Sequence, residues 1–82
     1  MEVKILGTGC AKCARLYQAA QRAIAEAGLD VTLEKVEDIP EIMKFGVMMT
    51  PALVIDGAVM AVGKVPKVAE IVAWMREMAA MG

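Results

Sequence analysis

The strongest constraint on this chain lies near its start, where a strand-like and a helix-like pattern meet at a pair of cysteines. Val3 to Leu6 is a short apolar run with β-branched residues, which reads as a buried strand. From Cys13 the pattern becomes helical. Cys13, Leu16, Tyr17, Ala20 and Ile24 fall at i, i+3, i+4, i+7 and i+11, one stripe of a helix that Gly28 stops. Between the two lies Gly7-Thr8-Gly9-Cys10-Ala11-Lys12-Cys13, which holds both cysteines in Cys-x-x-Cys spacing. Gly7 to Gly9 reads as a tight loop, with Gly9 expected to let another backbone approach Cys10 closely. Residues i and i+3 share one helix face. The two thiols are therefore placed either to form a disulfide or to hold one soft metal ion together.

The helix end favours thiolate chemistry. If the helix begins near Cys10, its first N–H groups lack intrahelical partners and point toward the Cys10 sulfur. The same end carries partial positive charge, which stabilises a thiolate. Lys12 adds a full positive charge nearby, although the dipole disfavours a cation there. That makes Lys12 a candidate for tuning the thiol rather than for stabilising the helix. A lowered pKa raises the thiolate fraction but lowers intrinsic nucleophilicity, with a Brønsted slope of about 0.45. The larger benefit is to Cys10 as a leaving group. Cys10 is accordingly read as the attacking thiol. Cys13, a turn further in and more buried, is read as the resolving one.

The rest of the chain supplies three more strands and two more helices. Val31 to Val36 alternates, with Val31, Leu33 and Lys35 on one face and Thr32, Glu34 and Val36 on the other, as in a partly polar edge strand. Asp38 and Glu41 have capping-box spacing and Pro40 suits a first turn, so a short helix is expected there, ending at Gly46. Leu53 to Ile55 and Ala58 to Val62 flank Asp56-Gly57, a strong hairpin signal. Pro51 belongs at the start of its strand, since proline donates nothing to a ladder. The last helix is expected from about Val65 to Met81, with Pro66 in its first turn and an apolar face of Val68, Ile71, Val72, Met75 and Met78. The methionines read as flexible core filling.

Composition removes several function classes. The 82 residues suffice for one small domain, taken as residues 1–82. There is no histidine, which excludes Cys-His, Ser-His and His-metal sites within the chain. A net charge of −1, scattered along the sequence, gives no basic patch for nucleic acid. No uncharged apolar run reaches the length of a membrane span. Met1-Glu2-Val3-Lys4 runs straight into a strand-like pattern without a signal peptide. A close cysteine pair without such a signal fits a cytoplasmic redox or metal motif. A closed structural zinc site, which needs four ligands, is not expected, and no metal is assigned.

Taken together, the order is β-α-β-α-β-β-α, with Cys-x-x-Cys opening the first helix and Thr50-Pro51 opening the third strand. This resembles the thioredoxin fold in its minimal, glutaredoxin-sized form, and most of all the small thioredoxin-like redox-active disulfide proteins. Three separated motifs carry the resemblance: Gly9-Cys10-Ala11-Lys12-Cys13, Met49-Thr50-Pro51 leading into Ala52 to Gly57, and Val62-Gly63 before the last helix. It implies an α/β domain with a four-stranded mixed sheet and helices on both faces. It implies Cys10 as nucleophile, Cys13 as resolving thiol and a cis peptide at Thr50-Pro51. The backbone at Met49 and Thr50 would pair with a substrate chain, and Gly9 and Gly63 would leave it room. The implied activity is thiol-disulfide exchange with no cofactor beyond the Cys10-Cys13 disulfide. The implied partners are a disulfide-containing protein and a disulfide reductase, and the implied state is a monomer. The residues departing from thioredoxins proper are Gly9, Ala11 and Lys12, where those have tryptophan before and Gly-Pro between the cysteines. No acidic residue stands out as the buried proton acceptor under Cys13. The rival resemblance is to heavy-metal-associated domains, which bind copper(I) through a Met-x-Cys-x-x-Cys loop. Those have methionine where this chain has Thr8, and their order, β-α-β-β-α-β, ends in a strand.

Overall fold

The computed structural model describes residues 1–81; Gly82, the last residue of the expected domain, lies outside them. Seven elements follow one another: β1 Glu2–Leu6, α1 Ala11–Ala27, β2 Thr32–Val36, α2 Ile39–Lys44, β3 Ala52–Ile55, β4 Ala58–Val62 and α3 Val68–Met81. They have the expected order, and the strands form one mixed sheet in the order β2-β1-β3-β4. β1 and β2 are parallel, with Val3 opposite Leu33 and Ile5 opposite Lys35. β3 runs antiparallel to β1, placing Leu53 opposite Ile5, and β4 runs antiparallel to β3.

Alternation along β1 and β3 sends side chains to two cores. Val3 and Ile5 of β1, with Leu53 and Ile55 of β3, meet Leu16, Ala20 and Ala23 of α1 and Ile71 and Met75 of α3. On the opposite face Leu6, Ala52 and Val54 meet Ile42 of α2, with Phe45 packed against them. Helices thus cover both faces. The expected stripe of α1 is buried at Cys13, Leu16 and Ala20, whereas Tyr17 and Ile24 are half-buried. Ala23, absent from that stripe, is fully buried because α3 packs beside α1 and widens the covered face. Leu16 is also fully buried. Leu16→Ala is expected to cost about 2–5 kcal/mol, a large share of the roughly 5–15 kcal/mol that holds a small domain together. The drop in urea midpoint measures it, and an unchanged midpoint would contradict the packing.

Two local expectations need correction. α3 starts at Val68, and Pro66 lies buried ahead of it rather than in its first turn. Val65 precedes a proline and is pushed away from helical backbone, so the helix does not reach it. Lys67 caps α3 instead: its carbonyl accepts from Glu70 N at 3.0 Å and Ile71 N at 3.1 Å. The Glu70 side chain reaches back to accept from Lys67 N at 3.1 Å, half of a capping box. In α2 the Asp38 side chain makes no cap hydrogen bond, and Glu41 pairs with Lys44 at 2.8 Å instead. The hairpin follows its sequence signal, with Asp56 at φ 46 and Gly57 at φ 83, as a type I′ turn requires. Asp56 also accepts from Glu2 N at 2.7 Å through Oδ1, tying the turn to β1. Among the described residues no helix is long and apolar enough to cross a membrane.

Candidate active site

The cysteines sit where β1 ends and α1 begins. Gly7 extends the parallel ladder by one bond, its N–H donating to Val36 O at 3.0 Å. The chain then turns through Thr8 and Gly9, and Cys10 becomes the N-cap of α1 with extended backbone. An N-cap residue normally offers a side-chain oxygen to an orphan N–H. Here the Cys10 sulfur does so, accepting from Cys13 N at 3.2 Å. The first turn contains no acidic residue that would compete for the positive end of the helix. Cys10 Sγ and Cys13 Sγ lie 2.6 Å apart and share a hydrogen bond. Cys10 is exposed, whereas Cys13 is only 7 % exposed.

This asymmetry separates the two thiols electrostatically. The Cys13 thiol and then the Cys13 amide, both donating to the Cys10 sulfur, hold the Cys10 pKa below the usual thiol range. Burial pushes the Cys13 thiol up, and its hydrogen bond to Cys10 adds to the rise. Lys12 contributes to Cys10 through its main-chain N–H. Its exposed ammonium makes no hydrogen bond to the sulfur. Among the groups that lower the Cys10 pKa, Lys12 enters by its main-chain N–H, which every residue except proline carries. Since the thiolate is the reactive form, Cys10 is expected to alkylate at lower pH than a free thiol, and Cys13 only at higher pH. Lys12→Ala should leave the Cys10 alkylation profile in place. A clear upward shift in that variant would restore the lysine charge as the cause.

The loops around the thiols come from three parts of the chain. The Thr50–Pro51 peptide is cis, and Pro51 is buried directly ahead of β3. Pro51 O accepts from Gly63 N at 2.7 Å, joining the loops before β3 and after β4. The glycine crowded within the chain is Gly7. A Cβ added to Gly7 would overlap Cys13 Sγ and lie 3.8 Å from Thr50 Cβ. Gly9 has open space around it and a φ of 87°, which favours glycine. At Gly63 a Cβ would come within 3.1 Å of Met49 Cε, so the Met49 side chain packs against Gly63.

Two recesses flank the cysteines. On the β2 side a cavity of about 170 Å³ is lined by Ile5, Gly7, Gly9, Cys10, Cys13, Ala14, Lys35 and Glu37. Neither Lys35 nor Glu37 stands out in the sequence as a site residue. Only the parallel pairing of Ile5 with Lys35 brings them to this end of the sheet. Lys35 also lies over the Tyr17 ring, 4.5 Å from its centre. On the other side a groove runs from Thr8 and Thr50 to the exposed side of α2. Among the described residues no three His, Cys, Asp or Glu side chains gather as a metal site.

The family model of the thioredoxin domain matches residues 1–76. The chain belongs to the thioredoxin-domain family. It is 37 % identical over 71 residues to a thioredoxin of Methanothermobacter thermautotrophicus, covering 87 % of this chain and 92 % of that protein. It is 39 % identical over 69 residues to a thioredoxin of Methanocaldococcus jannaschii, covering 84 % and 79 % respectively. At this level the chain is a thioredoxin-type redox protein, and its mixed sheet with a terminal helix is the fold of that family. The strand that would end a heavy-metal-associated domain is replaced by α3.

Proposed function

We propose that this thioredoxin-domain protein is a thiol-disulfide oxidoreductase that reduces protein disulfides through Cys10 and Cys13. The observation that carries the reading is the asymmetry of the pair: an exposed Cys10 sulfur that accepts from the Cys13 amide, beside a buried Cys13 thiol. In the reaction, the Cys10 thiolate attacks one sulfur of a substrate disulfide. The other substrate sulfur leaves as a thiolate and takes up a proton. Cys13 then loses its proton and attacks Cys10 Sγ, expelling the second substrate thiol. Two electrons pass to the substrate and the chain ends as the Cys10-Cys13 disulfide. The proton of Cys13 leaves through the cavity that Lys35 and Glu37 line. No cofactor beyond the cysteine pair takes part.

The substrate chain lies along Met49, Thr50 and Pro51, with Gly9 and Gly63 on either side and the Met49 side chain swinging off Gly63 to admit it. A disulfide reductase returns the dithiol. The protein acts as a cytoplasmic monomer. Acceleration of dithiothreitol-driven reduction of a disulfide-linked protein tests the activity. A rate no faster than dithiothreitol alone would refute it.

A further inference from the structure

Three of the four strongly exposed methionines sit together beside the cysteines. Met48 is 96 %, Met43 67 % and Met49 61 % exposed, and with Ile39 they line the groove that also contains Thr8 and Thr50. Core filling does not explain them, whereas it does explain Met75, which is fully buried. The fourth exposed methionine, Met81, ends α3. Its neighbour Met78 lies with Met1 and Asp56, at the opposite end of β1 from the cysteines. The groove wall therefore combines an apolar surface, flexible side chains and open access to solvent at one place.

A thioether adapts to differently shaped partners better than a branched side chain does. It also has a chemistry that leucine and isoleucine lack. A hydroperoxide transfers one oxygen to the sulfur: an S–O bond forms, the O–O bond breaks, and the peroxide leaves as water or an alcohol. Sulfur loses two electrons and the peroxide gains two. The product, methionine sulfoxide, is polar and chiral, and a methionine sulfoxide reductase reverses it.

We propose that Met43, Met48 and Met49 form an oxidation-sensitive docking wall, at which hydroperoxide slows reaction with protein disulfides while leaving the cysteine chemistry intact. This rests on the reading that protein disulfides dock beside Cys10 along Met49 and Thr50. A small disulfide has no chain to lay in the groove and reacts at Cys10 regardless of the state of the wall.

The test begins with the protein in its Cys10-Cys13 disulfide form, which shields the thiols. Mild hydrogen peroxide is applied and removed, the thiols are restored with dithiothreitol, and sulfoxides are mapped by mass spectrometry. Rates are then measured with a disulfide-linked protein and with a small aromatic disulfide. With the three sites oxidised, the protein-disulfide rate is expected to fall about fivefold, roughly 1 kcal/mol at 1.4 kcal/mol per tenfold, and the small-disulfide rate to hold. In the triple variant Met43→Leu, Met48→Leu, Met49→Leu, which keeps Met81, the ratio of treated to untreated rate is expected to stay near one. An unchanged protein-disulfide rate with all three sulfoxides present overturns the proposal. So does an equal loss in the triple variant. Untreated protein inactive on both disulfides overturns the oxidoreductase reading itself, and the docking wall with it.

Discussion

Cys10→Ser is expected to abolish protein-disulfide reduction, and Cys13→Ser to stop it halfway. The two substitutions remove similar atoms, so the difference comes from where the sulfurs sit. Cys10 is exposed and caps α1, with its sulfur held toward the thiolate form by the Cys13 thiol and amide. Without it the chain has no accessible nucleophile, because Cys13 is buried and its thiol is pushed up. A loss on the order of a thousandfold or more is expected, as for covalent nucleophiles elsewhere. In Cys13→Ser the attack proceeds and no second thiol resolves it. The substrate stays attached through a mixed disulfide with Cys10, visible by mass as a one-to-one adduct that dithiothreitol releases. An adduct on Cys13 in the Cys10→Ser protein, formed at a comparable rate, would reverse the two roles.

Gly7→Ala is expected to damage the site more than the fold. A methyl group at Gly7 would overlap Cys13 Sγ and press on Cys13 Cβ at 3.3 Å. The local response is rotation of the Cys13 side chain, which separates it from Cys10 and removes the hydrogen bond that favours the Cys10 thiolate. The alternative is a backbone shift where Gly7 N bonds to Val36 O. Overpacking of this kind costs about 1–3 kcal/mol, and the exchange rate should fall by more than stability alone explains. Gly9→Ala provides the contrast. Nothing in the chain lies near its added carbon, so stability loses only the strain of a positive φ, about 1 kcal/mol. Urea midpoints and exchange rates for the two variants, measured side by side, check this. Equal rates in both would show that the Gly7 contact is unimportant.

These two glycines show how far the sequence could be read. The Cys-x-x-Cys spacing, the apolar run before it and the helical stripe after it identify a strand-loop-helix unit, because period and punctuation are local properties. The same holds for the Asp56-Gly57 turn and for Thr50-Pro51 ahead of β3. Which glycine is crowded is not local: Gly7 is tight because Cys13 returns over it one helical turn later. Lys35 and Glu37 reach the cavity beside Cys13 only through the parallel pairing of β2 with β1. The capping-box spacing of Asp38 and Glu41 was legible but misleading, since Glu41 finds Lys44 instead. The methionines defeat composition altogether. Identical side chains serve as core at Met75 and as an open wall at Met48, and only tertiary structure distinguishes them.

An equilibrium redox titration of the purified protein in dithiothreitol buffers, with free thiols counted by mass, addresses the cysteine pair most directly. We expect one two-electron transition between the Cys10-Cys13 dithiol and its intramolecular disulfide, at about −270 to −200 mV, the span from thioredoxin to glutaredoxins. Failure to form that disulfide, with both thiols free under oxidising conditions or paired only between molecules, would contradict the assignment of Cys10 and Cys13 as a thiol-disulfide carrier.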